Sequence, residues 1–446
     1  MCFQYVSKVV DLLDPALNRL NNLSLEDARR RVLSGGPEAV RAIDGSFALV
    51  AVDGTTVRLA RSMDRPLRYF LAKRAEGPAL FVADRIDTVR EALDREGLGG
   101  QFHPSYTRMV PAHYIVELSL VGCPDPDPTY TRFFTPSRAG VGGDLQSDLD
   151  ALGRRYIEAV AAEVDKWLAL IERAPGQQPI GVAFSGGIDS GAVFLIVYHA
   201  MLRRGLSPAR LKAFVLNLGT GPDLAQAREF LDGLGLGLFL EEIQARPEDI
   251  DITETVRVLE DYKALDVECG TMGLLLCRGI RARYPEWRFL ADGDGGDENL
   301  KDYPIEENPE LTIRSVVDNP LLYQEGWGVG RLKHSLTYSG GLSRSYTRTY
   351  APGRRYGFDG FSPYARPAVI DAAEAIPFAS LTGYDVPTLY ALKGEIVGRG
   401  VRAVTGFDMP AFAKRRFQHG AVAVETLRQR LTDEAAYRRT FLSLYA

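Results

Sequence analysis

The run Ser185-Gly186-Gly187-Ile188-Asp189-Ser190 limits what this chain can become more than any other feature. It sits between "PIGVAF", which reads as a short buried strand, and "GAVFLIVYHAMLRR", which reads as a helix. A strand that turns through two glycines straight into a helix belongs to an open α/β sheet. Glycines let the backbone turn sharply and approach an anion without side-chain clash. The start of the helix offers unpaired N–H groups and a positive dipole end, and Ser185 and Ser190 add hydroxyl donors. Together they make a nest for phosphate oxygens. No lysine follows the glycines, so this is not the GxxxxGK[ST] phosphate loop. Asp189 is the informative residue. An acid in a phosphate nest repels its ligand unless a cation sits between them, which points to Mg²⁺.

The same strand–turn–helix grammar continues downstream. "KAFVLNL" (from Lys212), "GLFLEEI" (from Gly237) and "RFLA" (from Arg288) read as further strands, and "DLAQAREFLDGL" as a helix. Such alternation predicts a parallel sheet with helices on both faces. Ahead of it, Leu149, Leu152, Tyr156, Val160, Val164, Trp167 and Ile171 step by three and four, the apolar stripe of one long helix. The tail from Pro304 onward reads as mainly helical with polar, aromatic loops.

The first part of the chain reads differently. "GSFALVAVDGTTVRLARS" is two apolar strands around Asp53-Gly54, a hairpin signal, and "RYFLAKRAEGPALFVAD" repeats the idea. "HYIVELSL" (from His113) is another strand. This predicts an antiparallel, β-rich domain over residues 1–140. The prolines and glycines of "CPDPDPTYTRFFTPSRAGVGGD" end it, and a second domain is expected over residues 144–446. A chain of 446 residues accommodates this division.

Composition excludes more than it suggests. A net charge of -5 with 25% charged residues offers no global basic surface for nucleic acid or anionic lipid. The arginines of "DARRRV" read as a solvated helix face. Cys2, Cys123, Cys269 and Cys277 form no CxxC or Cys/His cluster, so neither zinc nor redox chemistry is expected, and Cys269 and Cys277 fall in a buried helical pattern. Neither a leader-like N-terminus nor an apolar run long enough to span a bilayer is visible, so the cytoplasm is the default expectation.

"SGGIDS" is similar to the SGGxDS signature of the ATP-pyrophosphatase (PP-loop) group, whose members cleave ATP to AMP and pyrophosphate. "LADGDGGDENLKDY" resembles the asparagine-synthetase segment SGEGxDExFxGY. On that resemblance Asp297 joins Asp189 in holding Mg²⁺, Gly293 lies at the nucleotide, and Asp294 stands where the family has a glutamate beside the acyl-adenylate. The stretch from Leu216 looks like the strand and turn that wrap the adenosine. "LEDYKALDVECGTMGLLLCR" aligns with a family helix through Glu260, Tyr262 and Thr271, which implies that these line the acyl-adenylate pocket. "AKRRFQHG" resembles the lysine-containing loop of β-lactam, carbapenam and asparagine synthetases, with Lys414 on the catalytic lysine. There a lysine neutralises charge growing on phosphate and carbonyl oxygens.

The front domain resembles the back half of a class II glutamine amidotransferase, an Ntn-hydrolase-like sandwich, through "AIDGSFALVAVD", "DRPLRYFLA" and "MVPAHYIVEL". Cys2 matches the position of that family's nucleophile. However, only Phe3 to Arg41 lie between it and the first matching stretch, and no glutamine clamp or oxyanion donor reads there. A nucleophile without those parts loses most of its catalysis. The front domain is therefore expected to be a shortened scaffold. Two further departures bear on the substrate. The family's serine before its Gly-Glu-Gly run is Asp292, and its arginine in the segment matched by "YGFDGFSPYARPAVID" is Phe361.

The reading implied is an α/β amide-bond synthetase using ATP and Mg²⁺. It adenylates a small-molecule carboxylate and passes the acyl group to an amine or ammonia, with a homodimer reasonable and specialised biosynthesis expected. The alternatives are a glutamine-hydrolysing synthetase and a nucleotide-binding protein without catalysis.

Overall fold

The computed structural model describes residues 4–122, 126–138, 148–219, 221–307, 311–324, 346–412 and 430–445. The chain divides into two compact units. One takes Met1–Thr135 with Arg439–Ala446, and the other takes Pro136–Gly328 with Arg344–Arg438.

The first unit is a β-sandwich. Its strands are β1 (Lys8–Asp11), β2 (Ala48–Asp53), β3 (Thr56–Arg61), β4 (Arg68–Ala72), β5 (Ala79–Ala83), β6 (Arg108–Met109), β7 (Tyr114–Val121) and β8 (Pro126–Arg132). The expected hairpin closes with Asp53 opposite Thr56. One sheet has the order β1-β5-β4-β6 and the other β8-β7-β3-β2. Val50, Leu59 and Val116 from one sheet share a core with Tyr69, Leu80 and Val82 from the other. Alternation of side chains along each strand puts those residues on the inner faces. Helix α1 (Ile86–Arg95) covers Phe70 and Phe81 on the outer face of the first sheet.

The second unit is built on α2 (Leu149–Glu172), whose Asp148 side chain caps the free N–H groups of Asp150 and Ala151. There follow β9 (Ile180–Ala183), α3 (Ile188–Arg203), β10 (Leu211–Asn217), α4 (Asp223–Gly233), β11 (Leu240–Gln244), α5 (Ile252–Leu259), α6 (Ala264–Arg283), β12 (Phe289–Ala291), the short α7 (Gly296–Asn299), β13 (Asp359–Phe361), α8 (Pro367–Glu374) and α9 (Val386–Thr405). All five strands run parallel in the order β11-β10-β9-β12-β13. Ala213 and Val215 pack toward α2 and α3, whereas Phe214 and Leu216 pack toward α6. Both faces are covered, which is why these strands read as nearly continuous apolar runs.

β13 departs from the expectation of a mainly helical tail. It is a three-residue edge strand set against β12, with Phe289 opposite Asp359. So short a strand carries no pattern of its own, and only its parallel partner defines it. Among the described residues no helix is long and apolar enough to cross a membrane.

Candidate active site

β9 and β12 are neighbours, and the chain leaves them in opposite directions across the sheet, to β10 and to β13. In an open α/β sheet this reversal leaves a crevice at the C-terminal strand ends. The two glycine-rich loops both emerge there.

The first loop is tied by its own serines. The Ser190 hydroxyl accepts from the Ser185 backbone N–H at 3.2 Å and lies 3.2 Å from the Ser185 hydroxyl, and the Ser185 Oγ accepts from Gly187 N–H at 3.3 Å. Gly186 has φ +73°, and a β-carbon there would stand 2.9 Å from the α4 backbone at Ala227. Gly187 then caps α3, so the first N–H groups of a sixteen-residue helix face the crevice.

The second loop closes on the first. Gly293 lies against the backbone of Asp189 and Ser190, and Gly296 lies against the Asp189 side chain. α7 then places Asp297 beside Asp189. Both carboxylates bond to one ammonium, Lys393 Nζ, which is 2.6 Å from Asp189 Oδ2 and also donates to Asp297 Oδ1. Asp302 Oδ2 stands 3.4 Å away. Only 3% of the Lys393 side chain is exposed. Burial works against its charge, but Asp189, Asp297 and Asp302 outweigh it and hold its pKa well above the ordinary lysine value. The loop is braced from behind, where the Tyr364 hydroxyl donates to the Asp189 carbonyl at 3.3 Å and Asn299 donates to the Tyr364 carbonyl at 3.1 Å.

Lys393 and Asp302 were not expected from the sequence, although a signal existed for the lysine. In α9 the buried positions are Leu389, Leu392, Lys393, Ile396, Val397, Gly400 and Val401. A lysine on the apolar stripe of an amphipathic helix must find a partner. α9 reaches the site because it packs closely along α2 and α3, with the Gly153 and Gly400 backbones in near contact.

The loop after β12 also carries Asp292 and Asp294. Asp292 is buried, and its Oδ1 accepts from the Asp294 N–H at 3.0 Å. Burial, and then Asp294, push its pKa well up. Asp294 Oδ2 accepts from Thr349 Oγ1 at 3.1 Å. Burial raises its pKa to about 6, with Arg348 and Thr349 pulling it down and Glu298 and Asp297 adding to the rise. A carboxyl so poised can exchange a proton near neutral pH.

The remaining expected residues have these surroundings. Glu260 is fully buried at the left-handed C-terminal end of α5, on the α6 side of the sheet. Thr271 serves helix packing, since its hydroxyl donates to Val267 O and meets Thr255 Oγ1 at 3.2 Å. The Leu216 side chain is buried in the core, so it could meet a nucleotide only through its backbone. Phe361 stacks on Trp167 at 4.6 Å, with the Arg366 guanidinium over its ring, so the position where the family has arginine is a core contact here. Cys269 and Cys277 are buried thiols outside any disulfide, and burial pushes Cys277 up to about 12. Lys414 and Cys2 lie outside the described residues.

Two carboxylates that share one cation fit a hard divalent ion in their donor chemistry, with Lys393 as the stand-in. Among the described residues no group of three or more His, Cys, Asp or Glu is gathered to hold a metal unaided. Mg²⁺ bound in the usual way takes one or two carboxylates and completes its shell with waters and substrate phosphates.

Comparison with known proteins agrees with this architecture. Residues 169–356 match the asparagine synthase family. A probable glutamine-hydrolysing asparagine synthetase of Dictyostelium discoideum is 28% identical over 279 residues, 60% of this chain and 45% of the relative. Glutamine-hydrolysing asparagine synthetases of Lotus japonicus and Arabidopsis thaliana are each 30% identical over 139 and 140 residues, 30% of this chain and 23% and 24% of theirs. Residues 169–356 are thus similar to the asparagine synthase family, and the chain spans less than half the length of these curated relatives.

Proposed function

We propose that this chain is an ATP-dependent, AMP-forming carbon–nitrogen ligase that adenylates a small-molecule carboxylate, releases pyrophosphate, and passes the acyl group to an amine or ammonia. The observation that carries this reading is the convergence of Asp189 and Asp297, from two adjacent strand ends, on one cation beside a helix N-terminus.

In this reading the backbone of Ser185, Gly186 and Gly187 and the Ser190 hydroxyl hold the pyrophosphate oxygens. The N-terminus of α3 adds its dipole. Asp189 and Asp297 hold Mg²⁺, which would screen the phosphate charge and stabilise the departing pyrophosphate. Asp189, Asp297 and Asp302 against Lys393 leave an excess of negative charge, which a divalent ion offsets. Asp294 accepts the proton that the attacking amine gives up, and Lys414 balances charge on the phosphate and carbonyl oxygens. Gly293 supports this arrangement by letting the two loops meet. The substitution of the family's serine and glutamate by Asp292 and Asp294 favours an acid or amine other than those of asparagine synthesis. We place the reaction in specialised biosynthesis, with free ammonia or a substrate amine as the nitrogen source.

The experiment is pyrophosphate release from Mg-ATP across a panel of small carboxylic acids, with and without amines. Release that depends on one acid, and that Asp189→Asn and Asp297→Asn abolish while the fold persists, is expected. Nucleotide binding without turnover by any acid would sink the reading.

A further inference from the structure

A divalent ion and the Lys393 ammonium compete for the same two carboxylates, Asp189 and Asp297. Mg²⁺ and Mn²⁺ bind carboxylate lone pairs directly, at about 2.1 Å for Mg²⁺. Here those of Asp189 Oδ2 and Asp297 Oδ1 are taken by hydrogen bonds from Lys393. The lysine cannot step aside into water, because its side chain is 3% exposed on the packed face of α9. Its nearest alternative is Asp302, already 3.4 Å away.

We propose that Lys393 is a built-in competitor for the metal: its ammonium holds Asp189 and Asp297 together and yields them to a divalent ion only when polyphosphate arrives with that ion. The inference rests on the metal-dependent reading above and adds an order of binding to it. Charge supplies the reason. A lone divalent ion must displace the ammonium from two of its three carboxylates and gains only those two protein ligands, the rest of its shell being water. Polyphosphate changes both terms at once, since its oxygens complete the metal's coordination and offer the displaced ammonium a new anionic partner. The ammonium then stays within the buried site, against Asp302 and the phosphates. Metal and polyphosphate therefore bind cooperatively, and by linkage each raises the affinity for the other by the same factor.

The test is Mn²⁺ binding to the full-length chain, measured as protein-bound Mn²⁺ by equilibrium dialysis at matched free Mn²⁺ concentration, with and without inorganic pyrophosphate. Wild type should bind Mn²⁺ weakly alone and on the order of tenfold more tightly with pyrophosphate. Lys393→Met should bind Mn²⁺ alone on the order of tenfold more tightly than wild type, because the competing charge is gone, and pyrophosphate should then add little. Lys393→Arg should keep the wild-type pattern. A folded Lys393→Met with Mn²⁺ affinity equal to or below that of wild type overturns the proposal. If that variant does not fold, wild type decides, since equal Mn²⁺ affinity with and without pyrophosphate also overturns it. Absence of Mn²⁺ uptake by wild type under either condition would sink the metal reading itself, and this inference with it.

Discussion

Gly296 is packed against the carboxylate of Asp189, and a β-carbon at position 296 would overlap Oδ1 of that acid. The two residues open different helices, α3 after β9 and α7 after β12. The missing side chain is what allows the loops to close and Asp297 to reach the same ammonium as Asp189.

Gly296→Ala should force Asp189 away from Lys393 and Asp297. The overlap should cost about 1–3 kcal/mol, read from the denaturant midpoint. Pyrophosphate release should fall by more than the folded fraction does at the assay temperature. Wild-type release by this variant would show that the contact imposes no constraint.

On the proposed reaction, Asp294 should make activity and stability depend on pH in opposite senses. Its pKa is raised from 3.8 to about 6, so the native state holds its proton over that interval while the unfolded chain has released it. The contribution to stability is present below the unfolded value and is lost as pH rises through the folded one, on the order of 3 kcal/mol. Asp294→Asn should therefore gain stability relative to wild type between pH 4 and pH 7, measured by urea titration across that range. As a proton acceptor Asp294 must be ionised, so amide formation should rise with pH around 6, and the asparagine variant should lose that rise.

Arg348 lowers the pKa of Asp294. Arg348→Met should move the midpoint of the pH–rate profile upward from about 6, with the Asp294 acid still responsible. A profile that keeps its midpoint would assign the titration to another group.

Lys301 anchors the segment between Asp297 and Asp302 from below. Its ammonium is fully buried, bonds to Glu374 and donates to the Asn319 carbonyl at 3.0 Å. Lys301→Met leaves the buried Glu374 with one cation fewer and should cost about 3–5 kcal/mol. Lys301→Met combined with Glu374→Leu should cost less than the two single changes summed, in thermal or urea denaturation.

The parts of the site that could be read in advance are those encoded within a few consecutive residues. Strand, glycine turn and helix follow one another within Pro179–Arg203, and each step has its own local chemistry. The β2–β3 hairpin was legible for the same reason, because Asp53-Gly54 sets both turn and register. Thr271 and Phe361 mark the limit of that approach. Thr271 aligns with a pocket-lining family position and Phe361 with a family arginine, yet their side chains are used in helix packing and in stacking on Trp167. Alignment places a residue along the chain and does not say which way the side chain faces.

The sequence by itself determined the class of fold and the strand, glycine turn and helix around Ser185–Ser190, and it pointed to a cation at Asp189, since each follows from short-range backbone sterics and charge. Tertiary structure alone decided which cation group stands there. Lys393 lies far along the chain from both aspartates, and it reaches them only because Leu389, Ile396, Val397 and Val401 bury α9 in the same core as α2 and α3. Hydrophobic burial is non-directional and long-range in sequence. The final partner of a charged side chain was therefore settled by how the helices pack, and no local pattern could have recorded it.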